Sequence, residues 1–253
     1  MVKNRLVPVI IIRDGRVVQS IQFKHTNVIH NSPEIAIDFF DRWSADEIVV
    51  LDVSRTKENR QLFLNSIEAI SHKCFVPLTV GGWIESTEDM RQMLRLGADK
   101  IAINTKAVEN PSLITEGEKI FGAQCIVVSV DVFRHSEGRY EVYIGRGQIP
   151  TGLDPVSWVK EAESRGAGEI LLNCINNDGF RQGYDLTLLK AITHAVSIPV
   201  VAMGGVFEWK HLADGITIGG ASAVAAANIF HYTEFSTRKA KAFLRDKGLN
   251  VRP

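Results

Sequence analysis

Apolar residues in this chain gather in short continuous runs, and the runs recur at a regular interval along the sequence. Leu6 to Ile12, Ile48 to Val53, Pro77 to Val80 and Ile101 to Asn104 fall in the first half. Cys125 to Val132, Glu169 to Cys174, Pro199 to Met203 and Ala223 to Ala227 fall in the second. Short apolar runs bounded by turn residues predict strands covered on both faces, as in a parallel sheet. The polar stretches between them are long enough for a helix and a turn.

The two halves repeat one another. Val76-Pro77-Leu78-Thr79-Val80-Gly81-Gly82 and Ile198-Pro199-Val200-Val201-Ala202-Met203-Gly204-Gly205 read as one motif used twice. Ala45-Asp46-Glu47-Ile48 matches Ala167-Gly168-Glu169-Ile170 at a shift of 122, and Gly97-Ala98-Asp99-Lys100-Ile101 matches Gly220-Ala221-Ser222-Ala223-Val224 at a shift of 123. Solenoid units are shorter, about 20 to 50 residues. Eight β/α steps in 253 residues predict an α/β protein, a closed (β/α)8 TIM barrel forming one domain over 1–253, with half-barrels at 1–122 and 123–253. Such a barrel places ligands at the carboxyl ends of its strands. An open doubly wound sheet is the alternative; it is less favoured because a fourfold unit used twice closes naturally and no Gly-x-Gly-x-x-Gly follows the first strand.

Composition narrows the partners. Hydrophobic residues make up 45% of the chain, enough for a core, and Lys plus Arg balance Asp plus Glu at 29 each, so no bulk field draws nucleic acid or an anionic membrane. Arg13-Asp14-Gly15 follows the apolar run at 6–12 at once, which makes that run a strand, and no run reaches the roughly 18 apolar residues of a membrane span. A cytoplasmic location is expected. Cys74, Cys125 and Cys174 lack metal spacing and read as reduced thiols, with Cys125 and Cys174 in strands and Cys74 just before one. His25 and His30 lie in the segment after the first strand without a third ligand, so neither a metal nor a cofactor is expected.

Polar or glycine residues interrupt the strand ends at Gly81-Gly82, Asn104-Thr105, Asp178-Gly179, Gly204-Gly205 and Ala227-Asn228. Glycines there let backbone N–H groups approach an anion, and the following helix points its positive end at the same spot, which suits phosphate. The pattern occurs in both halves, so the mouth offers two such sites for a ligand with a phosphate at each end. The plainer alternative is that these glycines only make tight turns.

At this point the residues resemble a known family over essentially the whole chain, the cyclase subunit of imidazole glycerol phosphate synthase. The matching motifs are Arg13-Asp14-Gly15-Arg16-Val17-Val18, Leu78-Thr79-Val80-Gly81-Gly82, Gly97-Ala98-Asp99-Lys100, Glu109-Asn110-Pro111-Ser112-Leu113-Ile114-Thr115, Gly166-Ala167-Gly168-Glu169-Ile170-Leu171-Leu172, and Asp178-Gly179 with Gly183-Tyr184-Asp185. The resemblance implies a glutaminase partner on the amino-terminal face of the barrel, whose ammonia crosses the barrel to the opposite mouth. There two aspartates, ending the first and fifth strands, act as acid and base on a bisphosphorylated ribonucleotide.

The fifth-strand aspartate is Asp131, the expected catalytic residue; the first-strand position holds Ile11. Isoleucine cannot move a proton, and a placed acid or base is worth roughly 100- to 10,000-fold in rate. Gln19 stands where the family's first loop carries a substrate-holding lysine, Trp83 replaces a third glycine, and Met203 replaces a serine before Gly204-Gly205. Trp83 is expected to close room for the first-half phosphate or to reshape the loop, leaving Gly82, Asn104 and Thr105 the weaker site and Asp178, Gly179, Gly204, Gly205, Ala227 and Asn228 the stronger.

The other end keeps the family's pattern. Arg5, Glu47, Lys100 and Glu169 match the ring of charges that gates the ammonia channel, a neutral set of two positive and two negative groups. Asp99 on the same face matches a residue that pairs with a lysine of the glutaminase. The alternative is a set of surface ion pairs worth little.

A chain that keeps the entrance but alters the site resembles cyclase-like proteins found with a glutaminase-like partner and a separate amidotransferase, which convert an acetamido group to acetamidino on a surface sugar. The expected ligand is a phosphorylated or nucleotide-linked small molecule. The alternatives are an authentic histidine-pathway cyclase and a noncatalytic scaffold that activates a glutaminase.

Overall fold

The computed structural model describes residues 3–42, 44–231 and 236–252. The first half begins with β1 (Arg5–Arg13), β2 (Arg16–Ile21), β3 (His25–His30) and α1 (Pro33–Arg42). It continues through β4 (Ile48–Asp52), α2 (Arg60–Ser71), β5 (Leu78–Gly81), α3 (Thr87–Arg95), β6 (Lys100–Ile103), α4 (Thr105–Glu109) and α5 (Ser112–Phe121). The second half opens with β7 (Ile126–Arg134), β8 (Tyr140–Ile144), β9 (Ile149–Pro150) and α6 (Pro155–Ser164). It ends with β10 (Glu169–Cys174), α7 (Leu186–Thr193), β11 (Val200–Met203), α8 (Trp209–Thr217), β12 (Ala223–Ala226), α9 (Asn228–His231) and α10 (Ser236–Asp246).

Parallel pairing runs β1–β4–β5–β6–β7–β10–β11–β12 and closes where β12 returns to β1, with Arg5 opposite Ala223 and Val7 opposite Ala225. The fold is a (β/α)8 barrel. Every apolar run read from the sequence lies on one of these strands to within two residues. Cys125 is a correction: it sits in a short 3-10 turn before β7, because Gly122 ends α5 and the chain must turn before it can pair. A second feature was not foreseen. The first strand of each half is nine residues long and continues past the barrel rim into an antiparallel ribbon, β2–β3 after β1 and β8–β9 after β7. His25 and His30 therefore end a strand instead of lying in a loop.

Alternation along the strands explains the continuous apolar runs. In β1, Leu6, Ile10 and Ile12 pack outward into the core shared with the helices, while Val7, Val9 and Ile11 point into the barrel. Val49, Ala102, Val127, Leu171, Val201, Met203, Ala223 and Ala225 complete that inner apolar lining. Helix starts follow capping chemistry. The side chains of Ser86, Asp154 and Asp185 accept the backbone N–H groups of Asp89, Ser157 and Leu188, satisfying donors that the first turn leaves open.

The last helix is tied to the barrel floor by a buried ion pair. Lys241 Nζ lies 2.8 Å from Asp46 Oδ1, and the other Asp46 oxygen accepts the Leu6 N–H at 2.8 Å, so α10, β1 and the approach to β4 share one carboxylate. Breaking a buried pair from one side leaves a charge without a partner, which costs about 3–5 kcal/mol. We predict that Lys241→Met loses stability of that size in urea denaturation. Adding Asp46→Asn, which removes the stranded charge and keeps the acceptor for Leu6, should restore at least half. Equal stability of the two variants would refute the coupling.

Candidate functional site

The carboxyl ends of the strands form a mouth with two adjoining cavities. One, of 290 Å³, is lined by Ile11, Asp52, Gly82, Trp83, Asn104, Thr105, Asp131 and Arg146 among others. The second, of 460 Å³, is lined by Gln19, Asp178, Gly179, Gly204, Gly205, Ala227 and Asn228. Met203 belongs to both walls and divides them. The two sets of residues expected to meet an anion are thus each brought together, one set per cavity. Trp83 lines the first cavity, and room remains beside it.

Glycine is required where the loops turn back on the strands. At Gly82, φ is +132° and an added Cβ would lie 2.6 Å from Asp52 Cβ; at Gly205, φ is +87° and a Cβ would lie 2.3 Å from the Gly183 carbonyl oxygen. Gly183 in turn donates its N–H to the Gly205 carbonyl at 2.8 Å, and Asn177 Nδ2 donates to the Gly183 carbonyl at 2.8 Å. These contacts hold the loop after β10 against the loop after β11.

Asp131 ends the inward row of β7 and is buried. Asn104, the residue before α4, donates Nδ2–H to Asp131 Oδ2 at 2.6 Å. Burial pushes the Asp131 carboxyl up to about 7; the Asn104 hydrogen bond opposes the shift and the Asp178 charge adds to it. A carboxyl near neutrality is half protonated in ordinary buffer and can give or take a proton. Ile11, 4% exposed, continues the apolar lining to the rim, so no carboxylate faces Asp131 from β1.

Asp178 is also buried, and burial raises its pKa. Its Oδ2 accepts Ser20 Oγ at 2.6 Å and the Phe23 N–H at 3.4 Å, so it fastens the β2–β3 ribbon to the loop after β10 as well as lining the second cavity. Thr105 Oγ1 accepts the Gly145 N–H at 3.1 Å and fastens the β8–β9 ribbon over the first cavity. Asn173 Oδ1 and Asn228 Oδ1, buried at the mouth, have no hydrogen-bond partner.

At the opposite end four charges close the barrel floor. Lys100 Nζ lies 3.0 Å from both Glu47 oxygens and 2.9 Å from Glu169, Arg5 lies 2.6 Å from Glu47 and also pairs with Glu169, and Thr79 Oγ1 donates to Glu47 at 2.7 Å. Burial works against the Arg5 charge, but the Glu169 and Glu47 carboxylates outweigh it and raise the pKa. Asp99 is exposed, yet its Oδ2 accepts the Leu78 N–H at 2.8 Å, so it supports the start of β5.

Compared with protein-family models, residues 5–236 match histidine biosynthesis proteins. The chain belongs to that family. This is the family of the cyclase subunit of imidazole glycerol phosphate synthase, whose members work with a glutaminase partner, and the chain is a cyclase-like member of it. Among the described residues no helix is long and apolar enough to cross a membrane, and no group of three or more His, Cys, Asp or Glu side chains is arranged to hold a metal ion.

The sequence reading missed several residues at the mouth. Asp52 ends β4 in the row of Ile48 and Val50 and lines the first cavity, and attention to polar strand ends would have found it. Arg146 and Arg181 were hidden because the ribbon and loop that carry them give no periodic signal.

The Asp131 shift sets a testable pH dependence. Its folded pKa lies above the unfolded value of 3.8, so the folded state holds its proton more tightly and loses stability as pH rises from about 4 through 7. Asp131→Asn removes this loss. Relative to the parent, the variant should gain stability across that window, by at most about 4 kcal/mol, with no relative gain below pH 4. Parallel urea denaturation of the two proteins at a series of pH values checks it; a pH-independent difference would contradict the burial account.

Proposed function

We propose that this chain is the ammonia-conducting, cyclase-like subunit of a glutamine-dependent nitrogen-transfer system, with a glutaminase on the barrel floor and a phosphorylated or nucleotide-linked acceptor at the mouth. The acceptor system that suits it best is the conversion of acetamido to acetamidino on a surface sugar, with a separate amidotransferase. One combination carries the reading: a complete ring of Arg5, Glu47, Lys100 and Glu169 at the floor, and Ile11 in place of a proton-transferring carboxylate at the mouth. A ring this interconnected is costly to bury unless every member is present, and loss of cyclase chemistry alone would not preserve it. Between ring and mouth the lumen is lined by Val7, Val49, Ala102, Val127, Leu171, Val201 and Ala225, apolar side chains that suit passage of neutral ammonia better than of ammonium.

An authentic histidine-pathway cyclase is the second reading, and Asp131 favours it, since a carboxyl held near neutrality keeps half of the acid–base pair. A steady-state assay with the histidine-pathway nucleotide and high ammonia separates the two. We predict no turnover in the common enzyme range of about 1–1,000 per second, and recovery by Ile11→Asp if the rest of that site is intact. Turnover in that range by the unaltered protein would restore the histidine role.

The floor generates a further prediction. Lys100→Ala and Glu169→Ala should leave glutaminase binding largely intact and uncouple glutamine hydrolysis from nitrogen delivery. Asp99→Asn, which keeps an acceptor for Leu78 while removing the charge, should weaken the complex by about 2–5 kcal/mol if Asp99 pairs with a lysine of the partner. Co-purification and coupled glutaminase assays read both effects; unchanged coupling in the ring variants would contradict the gate.

A further inference from the structure

One side of the second cavity is walled by aromatic and apolar side chains for which a small anion has no use. Val206, Phe207, Trp209 and Ile229 line it, and the Trp209 indole is stacked on Phe230 with 6.2 Å between ring centroids. Phe207, on the loop after β11, is 52% exposed. The Arg181 guanidinium, from the loop after β10, lies over its ring with Cζ 4.8 Å from the centroid. Phe180, beside Arg181 in the chain, is exposed as well. Clustered apolar surface at a cavity rim marks a place where something apolar lands.

The two loops that carry this pair are held in place. The Gly183 N–H donates to the Gly205 carbonyl, and His211 of α8 braces both loops. Its Nδ1 accepts the Phe207 N–H at 3.2 Å, its Nε2 lies 3.4 Å from Glu208 Oε1, and its ring sits so near Gly183 that an added Cβ there would lie 3.1 Å from Cδ2. Arg181 holds φ at +61°, a conformation that a residue with a side chain keeps only where its surroundings enforce it. The polar groups lining the cavity are of two kinds. Arg181 and Lys239 close no ion pair among the described residues, whereas Asp178 and the unpartnered Asn228 Oδ1 are acceptors. An acceptor calls for an N–H or O–H donor, not for a phosphate oxygen. A bare phosphate would use the cations and leave the acceptors and rings idle. A nucleoside joined to a diphosphate uses all three: the base meets the rings, its N–H groups or the sugar hydroxyls meet the acceptors, and the phosphates meet the cations.

We infer that Phe207 and Arg181 form a stacking platform for the base of a nucleotide-linked ligand, which makes the second cavity a nucleoside diphosphate site. Stacking on phenyl and guanidinium planes accepts any base, because every base has a π face, so the platform recognises the class of ligand and not one base. This rests on the reading that the mouth takes a phosphorylated or nucleotide-linked ligand and narrows it to the second kind. It does not depend on where the transferred nitrogen comes from.

The test is calorimetric titration of the full chain with uridine diphosphate, guanosine diphosphate and inorganic pyrophosphate, which carries the charge without the ring. Both nucleotides should bind roughly tenfold tighter than pyrophosphate, the share that one stacked base supplies. Phe207→Ala should bring the nucleotides down to the affinity of pyrophosphate and leave pyrophosphate itself unchanged, while Phe207→Trp, which keeps a ring, should retain the difference. Arg181→Gln should weaken all three. In the unaltered protein, nuclear Overhauser transfer between the base protons and the Phe207 ring reads the contact directly, so the proposal does not depend on any variant folding. Pyrophosphate binding as tightly as the nucleotides, no transfer to Phe207, or nucleotide affinity unaltered in Phe207→Ala would each overturn the platform. Failure of nucleotide binding beside intact glutaminase binding would leave the nitrogen-transfer reading standing, and loss of glutaminase binding alone would bear only on the proposed function.

Discussion

A strand in this barrel is covered on both faces, so every second residue looks into the lumen and the rest look toward the helices. That constraint assigns the chemistry. The inward row of β7 runs from Val127 through Ser129 to Asp131, and the inward row of β10 from Glu169 through Leu171 to Asn173. A charged residue at the start of such a row faces the floor, and one at its end faces the mouth. A single-residue slip of register would bury the helix-facing residues in the lumen and expel the ring and Asp131 together.

The floor and the mouth then differ in how they handle charge. At the floor Arg5, Lys100, Glu47 and Glu169 satisfy one another, and the set is neutral in a crowded place. At the mouth some polar groups are left open: Asn173 Oδ1 and Asn228 Oδ1 lack partners, and burial raises the Asp131 pKa to about 7. Buried polar atoms without partners are costly in a finished core.

Much of this was legible in the chain. Apolar runs identified all eight barrel strands because strands covered on both faces are apolar at most positions, with polar residues mainly at their ends, and the repeat of Pro77 to Gly82 in Pro199 to Gly205 revealed the twofold plan. Arg5, Glu47, Lys100 and Glu169 meet at one end because each stands at or just before a strand start, where position alone fixes the end of the barrel. The ribbons were not legible. Val17 and Val18 belong to a strand whose partner, from His25 to His30, has no buried residue and carries no apolar alternation. Arg146 was invisible for the same reason, and with it the fact that Trp83 has a cation to hold. A tryptophan at a glycine position reads from sequence as an obstruction; in the fold the Arg146 guanidinium lies over its ring.

The central claim is that a glutaminase seals the floor of a barrel whose ligand binds at the other end. Amide hydrogen exchange of the unaltered chain, with and without the glutaminase and glutamine, tests it most directly. The account predicts protection at the strand starts near Arg5, Glu47, Leu78, Lys100 and Glu169, and none at Gly82, Thr105, Gly205 or Asn228. No complex, or protection centred on the mouth, would contradict it.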